Sequence, residues 1–203
     1  MKKVLVAIVA LVALVGIAIG VLVLVTPTEF IVEREIEIEK PRAEVFVYLK
    51  EIKNQDAWGP WVKKDPNIKQ SYEGNDGEVG FISKWESEHQ DVGSGEQEIK
   101  KIIEGERIDT EIRFKKPFES TAEAYITTAD AGTDKTKVKW GFTGSMPRPM
   151  NLMLLFIDMN AEVGKDFDEG LSSLKDIVEK QNSPAQDKEE PSSGEKSEGA
   201  EDL

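Results

Sequence analysis

From Val4 to Val25 the chain reads VLVAIVALVALVGIAIGVLVLV, 22 residues without a charge or a polar side chain. A helix of that length rises about 33 Å against a hydrocarbon core of about 30 Å, so the run is predicted to be an N-terminal transmembrane helix. The competing reading is a cleaved signal peptide, whose apolar region spans about 7 to 15 residues and ends in a small-x-small site. Ala18-Ile19-Gly20 could serve as that site, but five more apolar residues follow it, which favours an uncleaved anchor. Lys2 and Lys3 should hold the N-terminus in the cytoplasm while the acidic flank Glu29 to Glu39 crosses. The expected location is therefore the cell membrane, single-pass, with the soluble part periplasmic or outside the cell.

Behind the anchor, residues 28–181 have the length of one domain that buries roughly 70% of its unfolded surface. Residues 182–203 form an acidic run with two prolines and one large apolar side chain, Leu203. That run cannot repay the entropy of ordering and is predicted to be a disordered tail, with a basic protein as a possible partner. The whole chain carries a formal charge of -13; removing the lysines of the anchor and the net charge of the tail leaves the domain at -10. Nucleic acid is excluded as a partner, since its affinity rests on Lys and Arg neutralising phosphates. With no cysteine there are no disulfides, thiolate metal sites or Cys nucleophile. A single histidine, His89, argues against an imidazole-based zinc site or a Ser/His/Asp triad. The Asn75–Glu78 and Asp130–Asp134 turns lack the spacing of a calcium loop. Neither a metal nor any other cofactor is expected.

Secondary-structure signals follow a definite order. Val32, Ile36 and Ile38 alternate with charged residues, the period of a half-buried strand. Pro41 suits the opening of a helix, and Val45, Phe46, Leu49 and Ile52 recur at helical spacing. The turn-rich stretch 56–61 follows, and then six strands: 68–73, 79–89, 95–103, 107–114, 121–128 and 136–142. Gly- and Asn/Asp-containing turns separate several of them, as tight hairpins require. After Pro147 and Pro149, apolar residues from Leu152 to Val178 recur three or four apart, predicting one long amphipathic helix.

Four local patterns punctuate this order: the strand-Pro-x-x-x-Val-Phe entry (Ile38 to Phe46), Trp58-Gly-Pro-Trp61, the segment WESEHQDVGSG (Trp85 to Gly95), and G-x-D-F-x-x-G-L-x-x-L-K from Gly164 to Lys175. Together they resemble the START-like (SRPBCC) superfamily of polyketide cyclases, dehydrases and lipid-transfer proteins, and in particular its membrane-anchored bacterial members. The resemblance implies an α+β helix-grip fold of the START/Bet v 1-like type. In that fold a curved antiparallel sheet of about seven strands wraps a long C-terminal helix, and the cavity between them takes hydrophobic ligands. It implies no universal catalytic residue.

Splitting each strand by side-chain direction gives a candidate lining of Phe81, Trp85, Ile112, Phe114, Trp140 and Phe142, with Ser83 and Ser87 as polar spots. Taken singly, each of these is better read as plain core; as a set, large aromatics beside small Ala and Ser positions fit a mostly apolar pocket. Residues 121–128 are ambiguous, because Ala122, Ala124 and Ile126 suggest one inner face while Tyr125 sits on the other. Residues 150–157 are apolar nearly all round, and Met150 and Met153 are read either as pocket entrance or as deeper core. Gly170 is expected to permit close approach of the sheet, and Gly164 a bend. Catalytic residues are not identifiable.

The leading expectation is a tethered extracytoplasmic module that binds or carries a small hydrophobic molecule or lipid. An enzyme of the cyclase or dehydratase type, assisted by Ser83, Ser87, Tyr125 or His89, is the alternative. A third reading is an interaction module whose cavity is filled by its own side chains. The absence of an obvious acid/base pair favours binding over catalysis.

Overall fold

A computed structural model describes residues 2–181, so the expected acidic tail lies outside the described residues. The chain opens with α1 (Lys2–Val25), a 24-residue helix with no buried side chain. It has the length and apolar composition of a membrane span or a signal sequence.

Seven strands follow: β1 (Glu29–Ile38), β2 (Lys69–Glu73), β3 (Ile82–Glu86), β4 (Ser94–Ile103), β5 (Arg107–Lys116), β6 (Ser120–Gly132) and β7 (Lys135–Ser145). They form one antiparallel sheet in the order β1-β7-β6-β5-β4-β3-β2. The strands β2 to β7 are a meander, and β1 closes beside β7. Register shifts at Ser94/Gly95 and Ile99/Lys101, and at Asp130/Gly132, bend the strands and curve the sheet.

The period-two pattern decides which face is which. Ile108, Thr110, Ala122, Ala124, Ile126, Val138 and Trp140 are buried on the concave side. Tyr125 resolves the ambiguity in β6 by lying on the outer side over Gly141, where its hydroxyl donates to Glu33 and the Arg107 guanidinium sits 4.0 Å from its ring. Burial and that hydrogen bond push the Tyr125 hydroxyl up to about 12.

The connection from β1 to β2 carries α2 (Arg42–Lys50), a 3-10 turn (Ile52–Asn54), α3 (Gln55–Trp58) and α4 (Pro60–Lys64). The Trp58-Gly-Pro-Trp61 turn is thus the junction of two short helices, with Pro60 opening the second. The concave face is covered by α5 (Met159–Lys180), whose Phe167, Leu171, Leu174 and Val178 are buried together with Val45, Phe46 and Leu49 of α2.

Three expectations need correction. The last helix starts at Met159 and not at Leu152, because the Asp158 side chain accepts a hydrogen bond from the Ala161 amide at 3.1 Å and caps a new helix there. Residues Met150–Leu155 form a separate 3-10 turn. The third strand is shorter than 79–89, since Gly80 takes a φ of 91° and Ser87 leaves the ladder to bond Asp65. At Gly164 the helix runs on. A Cβ there would collide with the Arg34 guanidinium, which donates to the Asn160 carbonyl at 2.8 Å and to Asp168 at 3.1 Å. Gly170 behaves as expected, with its absent Cβ only 3.0 Å from the Trp140 ring of β7.

On the outer face, β4 and β5 place Glu98 directly opposite Glu111, a repulsive pairing. Arg113 bridges the two and also donates to Glu96 at 2.8 Å, while Lys115 donates to the other Glu96 oxygen at 2.8 Å. The hydrogen bonds from Lys115 and Arg113 hold the Glu96 carboxyl at about 2. A carboxyl depressed in the folded state stabilises the fold above its unfolded pKa, and that contribution is lost as pH falls through the folded value. Urea midpoints measured from pH 5 down to about 2 are therefore expected to fall with a proton-linked slope, and Glu96→Gln should reduce that slope. The change should be modest, since exposed pairs contribute about 0–1 kcal/mol each.

Candidate functional site

The concave face and α5 do not close completely on one another. Between them lies a cavity of ≈ 440 Å³ that the protein's own side chains leave open. Its long wall is an arc of aromatic rings running across the sheet from β3 to β1. Trp85 meets Phe114 at 6.0 Å between centroids, Phe114 meets Phe142 at 6.4 Å, and Phe142 meets Phe30 at 6.1 Å. Every second residue of a strand points inward, so one aromatic contributed by each of several strands is enough to build such an arc. The small side chains of Ala122 and Ala124 on β6 leave the volume that the rings surround. On the same face of β7, Trp140 stacks on Phe167 of α5 at 3.9 Å with planes 3° apart, and Trp61 stands edge-on to Trp140 at 5.7 Å.

Six of the residues expected from sequence line this cavity: Ser83, Trp85, Ile112, Phe114, Trp140 and Phe142. Phe81 does not. It is 1% exposed and stacks on Tyr72 at 6.1 Å, because the chain turns at Gly80 just before β3 and directs this ring into the core beside α2. Met150 and Met153 do not line it either. Both are 45% exposed on the 3-10 turn outside the cavity, and the methionines that reach it are Met146 and Met159. Of the side chains considered for assisting a reaction, only Ser83 borders the cavity. Ser87 is buried and donates to Asp65 at 2.5 Å, Tyr125 lies on the outer face, and His89 is exposed with its Nδ1 accepting from the Asp91 amide at 3.2 Å.

A polar cluster on the rim was not legible from spacing. Asp56 of α3 and Gln70 of β2 both line the cavity, the Gln70 amide donates to Asp56, and the Tyr72 hydroxyl donates to the other Asp56 oxygen. Burial, and then the bond to Asp56, raise the Tyr72 hydroxyl well above the ordinary tyrosine range, so it remains a donor. A carboxylate offers about four acceptor sites. Two are used here, which leaves Asp56 able to accept from a hydrogen-bond donor in the cavity. A second acid, Asp166, borders the cavity but is paired with Lys64 at 2.6 Å. Gln97, whose amide donates to Thr110 at 3.1 Å, adds to the polar lining along with Gln55, Asp91, Ser120, Thr121 and Ser145. The arrangement is a mostly apolar pocket with a few fixed polar groups, as small-molecule sites generally are.

No protein-family model and no curated protein sequence matches the chain. Solved structures do match it in shape. A truncated norcoclaurine synthase from Thalictrum flavum aligns with a TM-score of 0.57 at 11% identity, over 78% of this chain and 98% of its own. Norcoclaurine synthase from the same plant, solved in complex with dopamine and hydroxybenzaldehyde, gives 0.55 at 11% identity over 81% and 94%. A protein from Thermobifida fusca studied by solution NMR gives 0.54 at 15% identity over 73% and 92%. At these identities the likeness is one of architecture, and the chain has a Bet v 1-like helix-grip fold preceded by an apolar N-terminal helix.

Proposed function

We propose that this protein is a membrane-tethered, extracytoplasmic module that binds or carries a small hydrophobic molecule in the cavity between sheet and α5. The observation that carries this reading is the open, aromatic-walled volume of ≈ 440 Å³, in which Asp56 supplies a partly unused acceptor. The favoured ligand is largely apolar and bears one hydrogen-bond-donating group. A fold neighbour solved with two small aromatic molecules is in keeping with a ligand of this class. The tether rests on the 24-residue helix α1, and the side of the membrane on Lys2 and Lys3 at its start.

A second reading is a cyclase- or dehydratase-type reaction on a substrate folded by the pocket. Asp56 favours it, since a carboxylate that borders the cavity with unused lone pairs can take a proton from a bound substrate. Asp56→Asn distinguishes the two. It should keep apolar probe binding close to that of the wild type under the carrier reading, and should abolish turnover under the enzymatic one.

The cavity itself is tested by filling it. Ala122→Phe adds a ring where an inward-facing Ala borders the cavity. It should leave the unfolding transition nearly unchanged while weakening the binding of an apolar fluorescent probe by about tenfold or more, a loss of about 1.4 kcal/mol. Unchanged affinity would put the ligand elsewhere. Trp140→Ala, in contrast, removes a ring that both lines the cavity and stacks on Phe167, and is expected to cost about 3–5 kcal/mol of stability by denaturant titration.

Membrane tethering predicts that the full chain stays in the membrane fraction after alkaline washing, and that a reporter fused after Leu203 is active only outside the cytoplasm. A mature N-terminus near Val21 would instead identify a cleaved signal.

A further inference from the structure

Outside α1, Phe156 (87% exposed) and Phe118 (72%) are the most exposed large hydrophobic side chains among the described residues. The strand register puts both at one end of the sheet. Glu29 pairs with Ser145 and Phe114 with Ser120, so the start of β1, the end of β7 and the hairpin tip carrying Phe118 share that end. It is also the end at which α1 enters the domain. Met150, Met153 and Leu155, between 45% and 52% exposed, extend the apolar surface along the segment that leads to Phe156.

This segment is fastened to α1. Arg148 donates from Nε to the Val23 carbonyl and from Nη2 to the Leu24 carbonyl, both at 3.1 Å. Asn151, fully buried, donates to the carbonyls of Val23 at 2.9 Å and Thr26 at 2.8 Å. A helix leaves its last four carbonyls without intrahelical partners, and a cation there also complements the helix dipole. The apolar turn is therefore held at the level where the hydrophobic helix ends. A groove between Thr26–Ile31 and Leu154–Asn160 lies beside it, and two of its lining residues, Phe30 and Met159, also line the ligand cavity.

We propose that Phe156 with its neighbours, and Phe118, are seated in the outer leaflet of the membrane that α1 crosses, and that the ligand reaches the cavity from lipid along the Phe30–Met159 wall. This rests on the reading of α1 as a membrane anchor. The contact is apolar: residues 28–181 carry -10, which disfavours attraction to anionic headgroups and points to insertion of side chains into the acyl boundary. The Met150–Ile157 turn is then a fixed foot on the bilayer, and the cavity opens beside it.

The absence of cysteine makes single labels unambiguous. The full chain, reconstituted in phosphatidylcholine vesicles, is labelled with a small fluorophore through Phe156→Cys, Val79→Cys or Leu14→Cys and quenched either by doxyl lipids or by aqueous iodide. Val79 lies in the turn before β3, at the opposite end of the sheet from α1. The label at position 156 is expected about 5–10 Å below the headgroup level, quenched by shallow doxyl lipid and shielded from iodide, while that at position 79 behaves in the reverse way. Quenching at position 156 by iodide and not by lipid overturns the docking. Protection from both quenchers marks a face covered by protein, such as a second copy, and also overturns it. The label at position 14 separates the premises: deep quenching there with no lipid contact at position 156 removes the docked foot and keeps the anchor, whereas no lipid contact at position 14 removes both.

Discussion

The stack of Trp140 on Phe167 is the contact on which the grip depends. Here a ring of β7 meets a ring of α5 face to face, with the missing side chain of Gly170 giving the indole room, and the pair is bracketed by Trp58 and Trp61 from the short helices. With four large rings packed there, the helix cannot settle uniformly onto the sheet. It is pinned where the rings meet, and beyond the pin the curved strands diverge from it. The cavity is the space that this divergence leaves, so the same indole that closes the core also forms one wall of the pocket. Core and site are continuous, and Trp140 belongs to both.

Charge on the outer face follows from the same geometry. A strand that buries every second residue must present the others to water, and here they are nearly all Lys, Arg, Asp or Glu. In β1, β4, β5 and β7 these side chains pair across strands, as in Lys137 with Glu35 and Lys139 with Glu33. Lys84, Lys100, Arg113, Lys115, Lys137 and Lys139 are committed to such cross-strand pairs. They keep the acidic side chains tolerable next to one another and contribute register more than stability.

Much of this was readable from residue order. Alternation in β5 and β7 assigned the inward faces, and six inward side chains of β3, β5 and β7 border the cavity, because period two is set by the backbone alone. What escaped reading depends on elements distant in sequence. Apolar spacing continues unbroken from Leu152 into α5, yet the chain stops and restarts at Asp158, since a cap outweighs periodicity over one turn. Gly164 suggests a bend from sequence alone; its role belongs to Arg34, 130 residues earlier. Phe81 sits on the expected inner side but at the start of its strand, where its ring is buried in the core and stacks on Tyr72 in place of the cavity. The Asp56–Gln70–Tyr72 cluster joins α3 to β2, and among 39 acids no local signal separates Asp56 from its peers.

The clasp between α1 and the domain is made to main-chain carbonyls, and this has an evolutionary consequence. Arg148 and Asn151 recognise Val23, Leu24 and Thr26 by their backbone oxygens alone, so the side chains of α1 are free to drift among apolar types without disturbing the joint. Length is another matter. Adding or deleting one residue in the non-helical link of Pro27 and Thr28 would change its reach by up to about 3.6 Å, carrying the carbonyls away from their donors. Related chains that keep this joint should vary widely in the composition of the first 25 residues, yet hold constant the spacing from the end of that helix to the first strand.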